Sequence, residues 1–313
     1  MDLIADIGAT NSRCALIDDR GRILSPETYQ NADFTGVEGL LKVYLDHRRK
    51  SDHPRRAALA IAAPVIGDEV KMINIDWHVS QPALKAALDL HGLMVINDFA
   101  AVAWGLPTLT PTDRKQIGTG QPVAGAPLTV LGPGSGLGVA SIVPSGDGWT
   151  AVSGEGGHVT LPAANAEEAA AIEQIRKHIG HCSAERVLSG PGLVRLYCAL
   201  SELAGRGTPT VTPADVTALA RQGEPLAHKT LDMFFAFLGT VAGDLVLTIG
   251  ARGGVFIAGG IVPKLLDLLE QSPFLERLTA KGRYSKYVEA VPCYVLTHAN
   301  PAFPGLKSLL GYR

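Results

Sequence analysis

The sequence predicts an α/β protein of two domains, and three observations lead to that class. The chain has 313 residues, more than one hydrophobic core usually organises. Short apolar runs typical of buried strands alternate with segments of helical periodicity. A strand–glycine turn–strand layout also occurs twice, at residues 3–17 and again at 128–143. A repeated layout in separate halves of the chain favours two sheets rather than one.

Composition narrows the classes of function. Hydrophobic residues make up 46% and charged residues 19%, and the net charge is −2, so no basic surplus points to nucleic acid or an anionic membrane. The four cysteines form no C-x-x-C pair, and we expect free thiols in a reducing compartment. The N-terminal residues do not resemble a signal peptide, so the expected location is the cytoplasm. The apolar stretch from Leu231 to Ile249 contains Asp232 and Asp244 and is interpreted as a core helix.

The chain opens with an expected three-stranded meander whose first turn carries the chemistry. The strands are predicted at Leu3–Ile7, Ser12–Ile17 and Arg22–Tyr29, followed by a helix at Thr35–Arg49, a strand at Ala57–Ala63 and a helix from Ser80 to about Leu90. Asp6 ends the first strand, Gly8 lets the backbone approach an anion, and Thr10 and Asn11 add donors. Such a turn suits nucleotide phosphates and their Mg²⁺. An ordinary tight hairpin explains the same residues equally well.

Asn97 and Asp98 stand at a second strand end. Leu93–Ile96 is predicted as a buried strand and Phe99–Leu106 as the following helix. Open α/β sheets bind ligands at the carboxyl ends of their strands. The simpler alternative is that Asp98 only caps the helix. In either case the helix amides are expected to keep its carboxylate ionised at neutral pH.

The second half repeats the turn and adds a polar cluster. We place a domain boundary within the segment 107–127, which is rich in Pro, Thr and Gly, before a strand at Leu128–Leu131, a glycine turn at 132–138 and a strand at Val139–Val143. No helix follows these glycines and no Lys-Ser/Thr pair ends them, which excludes a Rossmann fingerprint and a Walker A loop. Glu155 and His158 lie between glycines and form the densest polar cluster. A core histidine is the alternative interpretation of His158.

The remaining elements are mostly helical. We expect a helix at 165–180 with Asn165 and Glu168 as a capping box and Gly180 as its C-cap. Further helices are expected after the segment 185–190 to about Leu203, from Thr212, and from about Glu224 to Ile249. A strand precedes Gly259-Gly260 and a helix follows it, and the chain ends in a strand at Tyr287–Leu296 and a helix at Pro301–Leu310 that returns to the first domain. A helix N-terminus after the double glycine suits a nucleotide.

Six motifs in this order resemble the bacterial ATP-dependent glucokinase family, outside the ROK group. They are Asp6-Ile7-Gly8-Ala9-Thr10-Asn11, Asn97-Asp98-Phe99, Leu131-Gly132-Pro133-Gly134-Ser135-Gly136-Leu137-Gly138, Gly154-Glu155-Gly156-Gly157-His158, Glu185-Arg186-Val187-Leu188-Ser189-Gly190 and Phe256-Ile257-Ala258-Gly259-Gly260-Ile261. Each motif alone is weak, whereas the ordered set is specific.

The resemblance implies a two-domain actin-like ATPase (ribonuclease H-like) fold with the active site in the interdomain cleft. Residues 1–108 plus 299–313 would form the small α/β domain and 109–298 the large one. The reaction implied is ATP-dependent phosphorylation of D-glucose to glucose 6-phosphate, which feeds glycolysis. A homodimer is expected, with no nucleic acid or membrane partner. Because the cysteine-rich zinc motif of ROK kinases is missing from the sequence, no structural zinc is expected.

The resemblance also assigns residues. Asp98 would be the general base on the sugar 6-hydroxyl. Asn97, Asp98, Glu155, His158 and Glu185 would bind the sugar. ATP would lie on Asp6, Gly8, Ala9, Thr10, Asn11, Gly134, Ser135, Gly136, Gly259 and Gly260, and Asp6 would hold Mg²⁺ mostly through water.

Two alternatives stay open. A kinase for another hexose such as mannose or fructose would carry the same motifs. A non-catalytic sugar-binding regulator on the same fold is disfavoured, because the presumed base is intact and no DNA-binding extension precedes Leu3.

Overall fold

The structure is a computed structural model that describes residues 1–49, 52–72 and 74–312. The chain forms two compact units. The first comprises Met1–Asp113, Ser145–Ser153 and His298–Arg313, and the second Arg114–Pro144 and Gly154–Thr297. The division expected from the sequence, 1–108 plus 299–313 against 109–298, stays a prediction, and it differs from these units mainly at 145–153.

The strands are short and mostly buried. In chain order they are β1 (Asp2–Ile7), β2 (Asn11–Ile17), β3 (Ile23–Gln30), β4 (Arg56–Ile61), β5 (Glu69–Lys71), β6 (His78–Ser80), β7 (Gly92–Asn97), β8 (Arg114–Ile117), β9 (Leu128–Pro133), β10 (Leu137–Ser145), β11 (Gly148–Ser153), β12 (Gly254–Ile257) and β13 (Cys293–Leu296).

The helices range from one turn to seven. They are α1 (Val37–Asp46), α2 (Gln81–Ala87), α3 (Asp98–Gly105), α4 (Ala166–Ile179), α5 (Ala184–Val187), α6 (Gly190–Leu203), α7 (Pro213–Arg221), α8 (Pro225–Ile249), α9 (Leu266–Gln271), α10 (Phe274–Thr279), α11 (Ser285–Glu289) and α12 (Ala302–Leu309). Single 3₁₀ turns lie at Asn31–Asp33, Leu106–Thr108, Pro111–Asp113, Gly156–His158, Val262–Leu265 and Gly282–Tyr284.

The first unit is built on a five-stranded sheet of order β3-β2-β1-β4-β7. The three strands of the predicted meander pair antiparallel, and β1, β4 and β7 pair parallel. The register sets Ile7 opposite Ile61 and Ile61 opposite Asn97, so the three parallel strands end at one edge. Apolar residues of the strands pack with α1 into a continuous core.

Strands of the second unit follow the same plan. β10 pairs antiparallel with β9, β9 and β12 pair parallel, as do β12 and β13, and β8 closes the row antiparallel to β13. The core of this unit centres on α8, whose side chains from Leu231 to Val246 are largely buried. α8 is long and apolar enough to cross a membrane, but 67% of its most apolar window is buried inside the protein. It is a core helix, as the sequence predicts.

Helix α4 begins at the predicted cap residue, Asn165, but the Glu168 carboxylate has a different hydrogen-bond partner from the one that a capping box requires. The Asn165 side chain accepts from the backbone N–H of Glu168 at 2.9 Å, and Gly180 ends the helix with φ of +76°. The Glu168 carboxylate accepts from the N–H of Ala164 at 2.7 Å and from the side-chain Nδ2 of Asn165 at 3.0 Å, rather than from the backbone N–H of Asn165 that a capping box uses. Arg277 of α10 pairs with the same carboxylate. This buried ion pair draws Glu168 into the core, which explains why the capping box is incomplete.

Two sequence predictions near the end of the chain are wrong in part. Only Cys293–Leu296 of the expected strand Tyr287–Leu296 is extended, because Ser285–Glu289 forms α11. The double glycine Gly259-Gly260 is followed by a 3₁₀ turn and the short α9 rather than by one regular helix. Both regions are short apolar segments, for which period alone does not separate helix from strand.

The C-terminal helix α12 packs on the first unit, as predicted, and it touches α3 most closely at a glycine. A Cβ added to Gly305 would lie 1.8 Å from the carbonyl oxygen of Ala101 and 2.8 Å from the backbone nitrogen of Gly105. Both of these neighbours are backbone atoms, which cannot rotate away. The absence of a side chain at Gly305 therefore fixes the distance between α12 and the helix that follows Asp98.

We predict opposite signs for two Gly→Ala substitutions in helices. Gly305→Ala should lower the free energy of unfolding by about 1–3 kcal/mol, because the methyl group forces α12 away from α3. Gly39→Ala in α1, where nothing lies within 4 Å of the added Cβ, should raise it by about 0.5–1 kcal/mol through helix propensity. Urea unfolding of both variants measures the difference. A Gly305→Ala protein as stable as Gly39→Ala would contradict the close helix contact.

Candidate active site

The first group of predicted site residues lies at the carboxyl edge of β1, β4 and β7. Asp6 is the penultimate residue of β1, and Asn97 ends β7. Sequence motifs more than 90 residues apart are thus brought to one edge by parallel pairing. The negative charge of Asp6 acts on Asp98 there and makes ionisation of the Asp98 carboxyl group less favourable.

Asn97, not Asp98, caps α3. The Asn97 Oδ1 atom accepts from the N–H groups of Phe99 and Ala100 at 2.9 and 3.1 Å. Its Nδ2 atom donates to the carbonyl of Ala63 at 3.3 Å and to Asp98 Oδ1 at 3.0 Å. The amide of Asn97 is therefore engaged inside the protein. The alternative in which Asp98 is only the helix cap is wrong, since the cap position belongs to its neighbour.

Asp98 is held by one of its two oxygens. Oδ1 accepts from the Phe99 N–H at 2.9 Å as well as from Asn97 Nδ2. Desolvation by burial raises the pKa of Asp98 to about 7, with Asp6 adding to the shift, and the Phe99 and Asn97 donors offset only part of it. The expectation that helix amides keep this carboxylate fully ionised at neutral pH is therefore wrong. A carboxyl group with a pKa near neutrality can both accept and release a proton there.

The glycine turn after Asp6 is clamped by a buried asparagine. Gly8 donates its N–H to the carbonyl of Asn11 at 3.1 Å, and a Cβ on Gly8 would lie 2.8 Å from that oxygen. Asn31 donates through Nδ2 to the carbonyl of Gly8 at 2.8 Å and accepts from Ser12 Oγ at 2.7 Å. Ala9 and the exposed Thr10 form the tip. The sequence analysis did not identify Asn31, because a lone asparagine after a strand carries no local signal.

Arg13 is a second residue that the sequence analysis missed. Its Nη1 atom lies 3.5 Å from Asp6 Oδ2 across the β1–β2 pair, where the two residues are register partners. Burial raises the pKa of Asp6, and Arg13 opposes that rise. A charged residue two places after the motif, on the same face, is a signal that alternation along β2 could have revealed.

The second group of site residues lies in the second unit, around the turn between β9 and β10. Gly134 donates its N–H to the carbonyl of Gly136 at 2.8 Å, and the N–H of Gly190, at the start of α6, donates to the carbonyl of Gly134 at 2.8 Å. Ser135 stands exposed at the tip. These bonds define the turn and leave its outer surface open, as an anion-binding turn requires.

The double glycine lies directly beside this turn. Gly259 has φ of +80°, and a Cβ there would lie 2.3 Å from the carbonyl oxygen of Pro133. Ile261 donates its N–H to the same carbonyl at 3.3 Å. Nothing lies within 4 Å of a Cβ on Gly260. The structure therefore brings Gly259 and Gly260 next to the end of β9, with one glycine packed and the other open.

Glu155, His158 and Glu185 form an open polar triangle. His158 Nε2 lies 3.9 Å from Glu155 Oε2 and 4.0 Å from Glu185 Oε1, both longer than a hydrogen bond. Because these polar atoms are not bonded to each other, a hydroxyl or water lying beside them can bridge them. The glycines around His158 are needed for close packing, since a Cβ on Gly157 would lie 2.2 Å from the carbonyl oxygen of Leu137.

The described residues contain no group of three or more His, Cys, Asp or Glu side chains that could hold a metal ion. A metal near Asp6 would therefore be held mostly by water and a bound phosphate rather than by a set of protein ligands. This donor set is the usual one for Mg²⁺, which keeps several waters and binds substrate phosphates.

Comparison with known proteins identifies the relatives of this chain. A model of the glucokinase family matches residues 3–311. The glucokinase of Paramagnetospirillum magneticum is 42% identical over 312 residues, which cover 99% of this chain and 97% of that protein. The solved glucokinase from an Antarctic psychrotroph is 36% identical with a TM-score of 0.89 and covers 99% of this chain and 98% of that one.

A more distant likeness concerns the fold alone. A ROK family glucokinase from Streptomyces griseus, solved in complex with glucose and AMPPNP, has a TM-score of 0.66 at 18% identity and covers 98% of both chains. Together these structures confirm the predicted fold class, the actin-like ATPase (ribonuclease H-like) fold.

We predict that Asp98 titrates near pH 7 and that Asp6 contributes to this. The ¹³C signal of the Asp98 carboxyl group, assigned by comparison with Asp98→Asn, should move around pH 7 in the unliganded protein. In Asp6→Asn the pKa of Asp98 should fall, because a like charge is removed.

The pKa of Asp98 in the folded protein lies above its value in the unfolded chain, so the folded protein binds more protons between about pH 4 and 7. Stability should therefore fall with rising pH in that window, and less so in Asp98→Asn. An unshifted signal near pH 4 would contradict the assignment.

Proposed function

The chain belongs to the glucokinase family, and we propose that it transfers the γ-phosphoryl group of ATP to the 6-hydroxyl of D-glucose with Asp98 as general base. The observation that carries this proposal is the state of Asp98. It stands at a strand end with Oδ1 fixed by two donors and with a pKa raised to about 7. Oδ2 is then the oxygen that takes the hydroxyl proton.

A general base such as Asp98 meets one of the needs of phosphoryl transfer. This reaction needs positioning and charge stabilisation more than covalent chemistry, and a positioned base contributes about 10²–10⁴-fold. A base with a pKa near 7 is about half deprotonated at neutral pH and still a good acceptor. The value of kcat/KM, which reports the ionisation of the free enzyme, should accordingly rise with pH up to about 7 and then level off.

We assign sugar recognition to the polar triangle of Glu155, His158 and Glu185. The gaps of 3.9 and 4.0 Å support hydroxyls bridging these side chains. Asn97 would contribute mainly by orienting Asp98, because its amide is already bonded within the protein. A sugar epimer that leaves one of these groups unpaired would lose roughly 1–3 kcal/mol, which gives selectivity among hexoses.

ATP would lie on the two glycine turns. The turns at residues 8–11 and 134–136 would supply backbone donors other than the N–H groups of Gly8 and Gly134, which are bonded within their own turns, and Gly259 and Gly260 would lie against the adenosine. Mg²⁺, bound near Asp6 through water, would neutralise charge on the β- and γ-phosphates. Arg13 would hold the Asp6 side chain in place from the neighbouring strand. We further propose a cytoplasmic enzyme that acts as a homodimer.

The sequence leaves two other activities to be tested. A kinase for mannose or fructose would use the same base and the same turns, so a panel of hexoses distinguishes it from a glucokinase. A non-catalytic regulator would bind glucose without releasing ADP. The retained Asp98, with its shifted pKa, supports an enzyme over a regulator.

We predict that Asp98→Asn lowers kcat by about 10²–10⁴-fold while glucose still binds. The amide keeps the size of the side chain and its bond from Phe99, but it cannot accept the proton. ADP release in a coupled assay measures turnover, and calorimetry measures glucose binding.

Asp46→Asn is the matched control. Asp46 is an exposed carboxylate at the end of α1, so its turnover should equal that of the wild type. Substantial residual turnover in Asp98→Asn would remove Asp98 from the role of base. Loss of glucose binding in that variant together with an altered melting profile would instead indicate a structural role.

A further inference from the structure

Glu185 contacts two predicted binding elements at once, and its two oxygens are used differently. Oε2 accepts from the backbone N–H of Leu137 at 2.9 Å, at the end of the turn that contains Gly134 and Gly136. Oε1 lies 4.0 Å from His158 Nε2, on the side of the polar triangle. The resemblance assigns Glu185 only to the sugar. The bond to Leu137 makes the same carboxylate part of the support for the phosphate turn.

Gly136 is shaped to this carboxylate. A Cβ on Gly136 would lie 2.4 Å from Glu185 Oε2 and 3.2 Å from its Cδ. The backbone of Gly136 is not in the left-handed region, so conformation alone does not demand glycine there. The absence of a side chain lets Glu185 lie flat against the turn and reach the Leu137 N–H.

The backbone of Glu185 is anchored on both sides. Ala184 donates its N–H to the carbonyl of Val159 at 2.9 Å, directly after His158. Ser189 Oγ donates to the carbonyl of Glu185 at 2.8 Å, and Gly190 donates to the turn at Gly134. With both ends fixed, the remaining freedom of Glu185 is in its side chain. Whatever fixes Oε1 therefore also fixes Oε2 on the Leu137 N–H.

We propose that Glu185 is a positioning residue for the phosphate turn, through which a bound sugar increases the affinity for ATP. This inference rests on the proposed function. A sugar hydroxyl that donates to Oε1 orders the carboxylate and with it the turn, so ATP then binds to a turn whose ordering entropy is already paid. The coupling is reciprocal, and ATP must raise the affinity for glucose by the same factor.

Calorimetric titration tests this with a non-hydrolysable ATP analogue and Mg²⁺, in the presence and absence of saturating glucose. The ratio of the two dissociation constants is the coupling factor, and factors of about 5–150 are typical of coupled sites. We expect a factor of at least about 5 in the wild type. In Glu185→Ala, which removes both oxygens, it should fall to about 1.

Glu185→Gln separates the two oxygens. Its carbonyl oxygen can still accept from the Leu137 N–H, while its amide replaces the oxygen that faces the sugar. Glucose affinity should fall about tenfold, as expected for one lost hydrogen bond to a charged group. The coupling factor should also fall to about 1, because no sugar hydroxyl then orders the side chain, whereas the affinity for the analogue without glucose should stay at the wild-type level because the bond to Leu137 is kept. Reverse titrations, glucose into protein with and without the analogue, must give the same factor for each variant.

Two glycine variants in the same turn provide a second, independent comparison. Gly136→Ala pushes against Glu185 Oε2 and should reduce the coupling factor. Gly134→Ala meets only the nitrogen of Gly260, at 3.9 Å, and should keep the wild-type factor whatever its own affinity for the analogue. Melting curves confirm that each variant is folded.

The outcomes separate this inference from the proposed function. Formation of glucose 6-phosphate by the wild type with an unchanged coupling factor in Glu185→Ala would overturn the inference and leave the function standing. A wild-type factor near 1, or a coupling factor in Glu185→Gln that stays at the wild-type value, would also overturn it. A wild type that neither binds nor phosphorylates glucose would overturn both.

Discussion

The site in the first unit depends on one constraint, the parallel pairing of β1, β4 and β7 in a common register. That pairing brings two carboxylates from distant parts of the sequence, Asp6 and Asp98, to the same edge of a sheet. Their mutual repulsion and the desolvation of Asp98 are costs that the fold accepts. Shifted pKa values of this kind concentrate at functional sites, because a catalytic group needs a pKa that matches its task. The neighbouring donors reduce the cost without removing it.

Glycines in the two units are required for different physical reasons. Gly259 adopts a left-handed conformation against the carbonyl of Pro133, whereas Gly136 and Gly157 have ordinary backbones and only lack the space for a side chain. Gly305 brings two helices into contact. A side chain added at each of these positions would collide with a different group. Of these glycines, only Gly136 has as that group a side chain with a proposed role in binding, Glu185.

Local patterns predicted much of the fold, whereas the roles of the site residues came from the family resemblance and stay predictions. The meander, the second glycine hairpin, the cap of α4 and the core helix α8 follow from turn residues, capping residues and periodicity that are visible within a few positions. The strand end at Asn97-Asp98 was identified for the same reason. The alternative that Asp98 only caps the helix is wrong, because Asn and Asp are both good caps and only the geometry identifies Asn97 as the cap.

What the sequence did not predict depends on contacts between distant segments. Asn31 clamps a turn some 20 positions earlier, and Glu185 binds a backbone N–H 48 positions earlier. The pKa of Asp98 is also higher than the sequence predicts. The helix amides that lower it are visible locally, whereas the burial and the Asp6 charge that raise it come from the tertiary fold. The expected strand at Tyr287–Leu296 is wrong in part for a different reason, since the period of a short apolar segment does not separate helix from strand and Ser285–Glu289 forms α11.

The contact between Gly305 and Ala101 bears on the order in which the protein is made. The first unit includes residues 298–313, which the ribosome adds after the whole of the second unit. During synthesis the face of α3 around Ala101 and Gly105 therefore waits uncovered while the second unit has all of its segments and can fold. The first unit is therefore completed only after the second, and the helix that carries Asp98 reaches its final packing only once Ala302–Leu309 has been made.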